Sequence, residues 1–264
     1  MTVESIKQSQ LQFWNSPDAL DQYAYSSKPA FLYPGELPIL GLFRDRWPSV
    51  RMLDIGVGAG RTAQYFAELT PHYVGIDFAP KMIEACQRRF AGRWPRAVFQ
   101  EGDASDLKEH ADNTYDLVLF SFNGIDCMPY EQRQRTLAEM QRVCKPGGRV
   151  VFSSHNLFCI PLIPKFQFTA HPMRLKEELT RWLQVQRRNP PVEQAMAGPH
   201  VEYDDGNIGA NRLFFIRPEA QAADLRAMGL EVTAMYANHG HELRTEGDGH
   251  DPRVSWVYYY CLKG

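Results

Sequence analysis

The stretch MLDIGVGAGRTAQYFA, residues 52–67, constrains this chain more than any other: an apolar strand runs into three glycines and then directly into an amphipathic helix. Glycine adopts backbone conformations closed to other residues, so such a turn lets a ligand lie against bare main chain. Gly56, Gly58 and Gly60 read G-x-G-x-G. The dinucleotide fingerprint needs another glycine three residues after the second, and Arg61 stands there instead, which argues against a pyrophosphate-bearing dinucleotide. A purely structural strand-to-helix turn is the alternative.

The segments downstream restrict the choice further. HYVGID, residues 72–77, is a second apolar strand and ends on Asp77, about twenty positions past the loop, where a ribose diol would sit. Strands are expected near 51–55, 73–77, 97–100, 115–120 and 149–154, with helices near 61–69, 80–90 and 130–143. Strands alternating with helices imply a parallel sheet with right-handed crossovers, and ligands on such sheets bind beyond the carboxyl ends of the strands. Gly56, Asp77, Asp103, Ser121 and His155 should therefore meet on one edge.

In order and spacing these five segments resemble the class I S-adenosylmethionine-dependent methyltransferases, closely over residues 50–155 and more loosely to the end of the chain. The resemblance implies an α/β, Rossmann-like fold whose seven-stranded, mostly parallel sheet ends in an antiparallel strand. LEVTAMYA and RVSWVYYYCL, residues 230–237 and 253–262, would supply strands six and seven. It also implies S-adenosyl-L-methionine as cofactor and S-adenosyl-L-homocysteine as product. Asp54 then matches an acid that braces the glycine turn and the methionyl ammonium, and Asp77 one that holds the ribose. Asp103 would accept from the adenine amino group, Ala104 would donate from its backbone, and Phe78 with Met82 would sandwich the base. Ser121 and Asn123 would hold the methionyl amine. Asp103 also fits a cap on a helix over Ser105–Glu109, and Asp54 a strand-end cap.

Around this core, residues 1–49 read as an N-terminal cap with a helix from Glu36 to Trp47, residues 156–211 as a lid over the substrate, and 212–264 as the rest of the core. One of Tyr23, Tyr25 and Tyr33, taken as Tyr25, is expected near the sulfonium. For catalysis the candidates are His155, as a proton acceptor near neutral pH, and Asp126, each with a structural alternative as hinge or turn. The loop 237–252 carries His239, His241, Glu242, Asp248, His250 and Asp251 but lacks metal-ligand spacing, so no metal is expected.

Composition narrows the partners. Net charge is −2, and Arg174, Lys176, Arg181, Arg187 and Arg188 form the main basic cluster, diluted by Glu177 and Glu178, which disfavours nucleic acid. No apolar run crosses a bilayer and no leader is visible, so the expectation is a cytoplasmic protein without a membrane partner, and the five scattered cysteines read as reduced thiols. A small-molecule methyltransferase is the first reading, since the apolar stretch Leu157–Phe168 can enclose a modest ligand. A methyltransferase acting on protein or RNA, and a non-catalytic cofactor-binding subunit, are the alternatives.

Overall fold

Strands that read as nearly continuous apolar runs belong in a sheet covered on both faces, and β1 (Arg51–Ile55) and β4 (Tyr115–Phe120) are buried along almost their whole length. The computed structural model describes residues 3–23, 31–206 and 212–264. In it β1 pairs in parallel with β2 (His72–Asp77) and β4, β2 with β3 (Val98–Glu101), and β4 with the long β5 (Cys144–Asn156). The order β3-β2-β1-β4-β5 puts every strand's carboxyl end on one edge.

Helices α3 (Ala63–Leu69) and α4 (Pro80–Arg89) cover one face through Phe66, Ile83 and Cys86, and α5 (Tyr130–Val143) covers the other through Leu137, Met140 and Val143. Strand β9 (Trp256–Lys263) runs antiparallel along Arg149–His155 of β5, and β8 (Leu230–Ala237) runs antiparallel to β9. The period of two along β9 sends Tyr258 and Tyr260 into one core and Tyr259 and Cys261 into the other. The expected seven strands and antiparallel last strand are all present.

Two more strands extend the sheet. β6 (His200–Tyr203) and β7 (Leu213–Ile216) form an antiparallel pair, and β7 joins β5 in parallel at His155 and Asn156. The expected boundary at residue 211 thus cuts through a strand pair. The segment before it carries α6 (Pro172–Arg188) and the short α7 (Val192–Ala195), and α8 (Pro218–Ala227) follows.

The cap departs from expectation in detail. Helices α1 (Val3–Trp14) and α2 (Pro17–Tyr23) come first, and 36–47 is not one helix but two 3-10 turns, Pro34–Gly41 and Arg44–Ser49. Pro38 and Pro48 lie inside these turns, and each removes an N–H that a continuing α-helix would need. Nor does Ser105–Glu109 form a helix: that stretch is turns.

Candidate active site

All three loop glycines hold positive φ, 64° at Gly56, 53° at Gly58 and 83° at Gly60, which only glycine adopts without strain. Their surroundings differ. A Cβ on Gly56 would sit 2.7 Å from the Phe120 ring, and one on Gly60 would collide with Phe90 and Cys86, whereas one on Gly58 would meet nothing within 4 Å. Gly56 and Gly60 allow close packing, and Gly58 faces open space.

Two acids brace this loop. Asp77 accepts from the Gly58 and Ala79 backbone N–H groups at 2.9 Å each, tying the loop to the start of α4. Burial pushes its carboxyl group up from the usual range, against those two bonds. Asp54 accepts from the Thr62 hydroxyl at 2.6 Å and the Tyr73 hydroxyl at 2.5 Å. Burial raises its pKa to about 6. At 1% exposure Asp54 faces inward and braces the turn through Thr62 and Tyr73.

Asp77 and Asp103 lie at neighbouring strand ends, where the Gly102 N–H donates to the Asp77 carbonyl at 3.0 Å. Asp103 accepts from the Ser105 N–H at 2.9 Å and hydroxyl at 2.8 Å, and pairs with Lys7 of α1 at 2.6 Å. Partial burial raises its pKa, and the bonds from Lys7 and Ser105 outweigh that and hold it low. Ala104 is buried beside it, Phe78 is half-buried, and Met82 lies in an apolar cluster with Ala59, Ala79 and Ala85. Phe13, Trp14 and Leu20 pack over that cluster, so α1 and α2 roof this end of the cleft.

At the other end stands a residue the sequence did not single out. Glu36 is fully buried and takes both Arg61 guanidinium nitrogens at 2.6 Å, the Tyr33 N–H at 2.6 Å, and the Ser121 and Tyr258 hydroxyls. Ser121 therefore spends its hydroxyl on Glu36. Above the pair, Arg61 lies 4.8 Å over Tyr33, which stacks on Phe122 at 4.9 Å, with Trp256 edge-on to Phe122 at 6.2 Å. Tyr25 lies outside the described residues.

The acceptor-side candidates form a dyad. Asn123 adopts φ 58° and donates its N–H to the Ser153 hydroxyl at 2.9 Å, and Asp126 follows in a 3-10 turn, Gly124–Cys127. That turn carries the Asp126 carboxylate inward to 0% exposure, where one oxygen accepts from the Ser154 hydroxyl (2.8 Å) and Arg133 (3.3 Å). The other accepts from the His155 backbone N–H at 2.6 Å and meets Nδ1 at 2.9 Å. Asp126 therefore does not face an acceptor itself. A hydrogen on Nδ1 leaves Nε2 as the lone-pair nitrogen, and it lies 3.3 Å from the Asn123 Nδ2.

A family model described as a methyltransferase domain matches residues 52–148. Residues 52–148 form a class I S-adenosylmethionine-dependent methyltransferase domain. Among similar proteins, the demethylmenaquinone methyltransferase of Clavibacter sepedonicus is 34% identical over 113 residues, 43% of this chain and 44% of that protein. That of Thermus thermophilus is 36% identical over 103 residues, 38% and 45% of the two. Each match spans less than half of the relative's own length. The Burkholderia thailandensis 1,6-didemethyltoxoflavin-N1-methyltransferase, solved with S-adenosylhomocysteine, superposes with TM-score 0.60 at 16% identity over 100% of this chain and 91% of that one. A Mesorhizobium loti S-adenosylmethionine-dependent methyltransferase gives TM-score 0.59 at 15% identity over 87% and 98%. At such identities the likeness is one of fold.

Two features of the methyltransferase domain fit its cofactor class. Gly58 leaves room for close backbone approach, and the buried Asn123 Oδ1 has no hydrogen-bond partner, leaving an acceptor that an ammonium group can satisfy. The loop 237–252 is held by contacts within it and to its neighbours: Asp248 accepts from the Arg244 and Thr245 N–H groups, Asp251 pairs with Arg253, and His250 with Glu219. Among the described residues no three of its His, Asp and Glu side chains converge.

Proposed function

We propose that this chain transfers the methyl group of S-adenosyl-L-methionine to a small-molecule acceptor that loses a proton on methylation. The Asp126–His155 dyad at the carboxyl end of β5 carries the second half of that reading. Bound S-adenosylmethionine supplies an intrinsically activated methyl on a sulfonium. The protein's part is placement and proton removal. Gly58 gives the backbone approach, Asp77 and Asp103 the ribose and adenine ends, and Asn123 the ammonium end.

Asp126 fixes the His155 tautomer with Nε2 outward, and an acceptor N–H or O–H that replaces Asn123 at this nitrogen gives it its proton as the methyl bond forms. Asp126 orients His155 and stabilises the imidazolium without taking the proton. Residues 157–206 act as the lid on this side, since Phe215 beneath them packs 5.0 Å from the His155 ring. The family match ends at residue 148, before His155 and before this lid, so the acceptor is not inferred from the relatives' demethylmenaquinone.

Radiolabelled methyl transfer into a metabolite extract tests the proposal. Label in the small-molecule fraction is expected, with His155→Gln slowing transfer by about 10²–10⁴-fold at unchanged S-adenosylhomocysteine affinity. Label confined to protein or RNA, or equal loss of transfer and affinity, overturns it.

A further inference from the structure

We infer that the outer face of the insertion, formed by residues 162–168 and α6, docks onto an anionic lipid surface. Of the seventeen residues of α6 only Val185 is buried. Leu175, Leu179 and Leu183 recur every fourth residue and so line one side of the helix, with Leu179 and Leu183 exposed. The segment before the helix runs back along it: Arg181 donates to the Ile163 and Lys165 carbonyls at 3.1 Å, and the Gln167 N–H donates to Glu178 at 2.8 Å. That places Phe166 edge-on to Trp182 at 6.2 Å, and Leu162, Phe166 and Phe168 of this strap are exposed like Leu179 and Leu183. Phe168 is 81% and Met173 69% exposed. Single apolar residues at the surface are ordinary, whereas a gathered set on one helix and its flanking strap marks an interaction face.

Charge selects the occupant. Residues 162–188 hold six Lys and Arg against Glu177 and Glu178, in a chain of net charge −2. Arg181 pairs with Glu178 at 2.7 Å and Arg188 with Asp204 at 3.1 Å, so Lys165, Arg174, Lys176 and Arg187 set the charge of this face against Glu177. Lys176 and Arg187, seven residues before and four after Leu183, flank the leucine row. Apolar residues bordered by cations match the acyl-headgroup boundary of an anionic bilayer, where a helix lies in the plane of the interface. A second copy on this face would bring two net-basic faces together. A nucleic acid would leave the leucines and Phe168 facing phosphates. Among the described residues no helix is long and apolar enough to cross a membrane, and a helix lying in the plane of the interface needs no such length.

This inference stands apart from the methyl-transfer reading, and its test needs no acceptor. The full chain is sedimented with vesicles of phosphatidylglycerol in phosphatidylcholine and with phosphatidylcholine alone, at low and high salt. Binding is expected to the anionic vesicles only and to weaken with salt. Lys176→Glu with Arg187→Glu, and separately Leu179→Ser with Leu183→Ser, should each reduce partitioning by at least about tenfold. All four side chains are exposed, so thermal unfolding and S-adenosylhomocysteine affinity should stay at wild-type values. Absence of vesicle binding, equal binding to both vesicle types, or full retention by both double variants overturns the inference. So does a dimer, or an RNA complex, formed through this face without vesicle binding.

Discussion

Replacing Glu36 by Gln tests what locks the N-terminal cap to the cofactor loop. The Glu36 carboxylate is 0% exposed and faces the Arg61 guanidinium through two 2.6 Å contacts, while the Arg61 side chain is 25% exposed. A glutamine keeps the shape, removes the counter-charge and turns an NH₂ against one guanidinium nitrogen. Breaking one side of a fully buried pair costs about 3–5 kcal/mol. Partial access of Arg61 to water reduces that to about 2–4 kcal/mol. For a chain of this size each kcal/mol lowers Tm by about 2–4 °C, so urea unfolding and thermal melting both resolve the change. Arg61→Met alone strands Glu36 without its cation and should cost a similar amount. The double variant Glu36→Gln with Arg61→Met should cost much less than the sum, because neither charge is then left alone. Additive costs, or a Glu36→Gln loss under about 1 kcal/mol, would refute the lock.

Three further outcomes follow from the same geometry. Lys7→Met frees the Asp103 edge and removes one partly buried ion pair, so calorimetry should show S-adenosylhomocysteine binding tightened by up to about fivefold; weaker binding would show that Lys7 assists the ligand. Asp54 has a folded pKa of about 6 against an ordinary 3.8, so its protonation favours the native state as pH falls through 6 toward 3.8, and that stability is lost again as pH rises. The full swing is about 3 kcal/mol, and the Asp54→Asn variant should lack this part of the slope in urea midpoints taken across that window; parallel slopes would contradict it. Asp126→Asn removes the carboxylate charge and replaces one accepting oxygen with an NH₂ donor, so His155 loses the partner that fixes its tautomer and stabilises its imidazolium, and methyl transfer should fall about as far as with His155→Gln; near-normal turnover would separate the two residues.

The sheet was legible because both of its signals are local. Apolar runs such as VLF at 118–120 and the glycines after Ile55 announce strand and turn without help from distant residues. Where local pattern and tertiary contact diverge, the reading failed. Glu36 meets Arg61 across 25 positions of sequence and Tyr258 across 222, and nothing in PGELPIL marks it as a buried acid. The left-handed Asn123 and the 3-10 turn after it rotate Asp126 into the core, a direction that residue spacing does not encode. HVEY and LFFI are only four residues each and are separated by the turn-rich DDGNIGAN, too short a signal to announce a strand pair. Pro38 and Pro48 are local signals too: each breaks the helical hydrogen-bond ladder that the apolar pattern of 36–47 suggests.

Calorimetry with S-adenosylhomocysteine on the wild type and on Gly58→Val addresses the cofactor assignment most directly. Gly58 has φ 53° and open space where a Cβ would point, so valine there fills the cradle. The wild type should bind at a single site. The variant should remain folded by circular dichroism and show no measurable heat. A wild-type chain that takes up no ligand at saturating concentrations, or a valine variant that binds as tightly, contradicts the account.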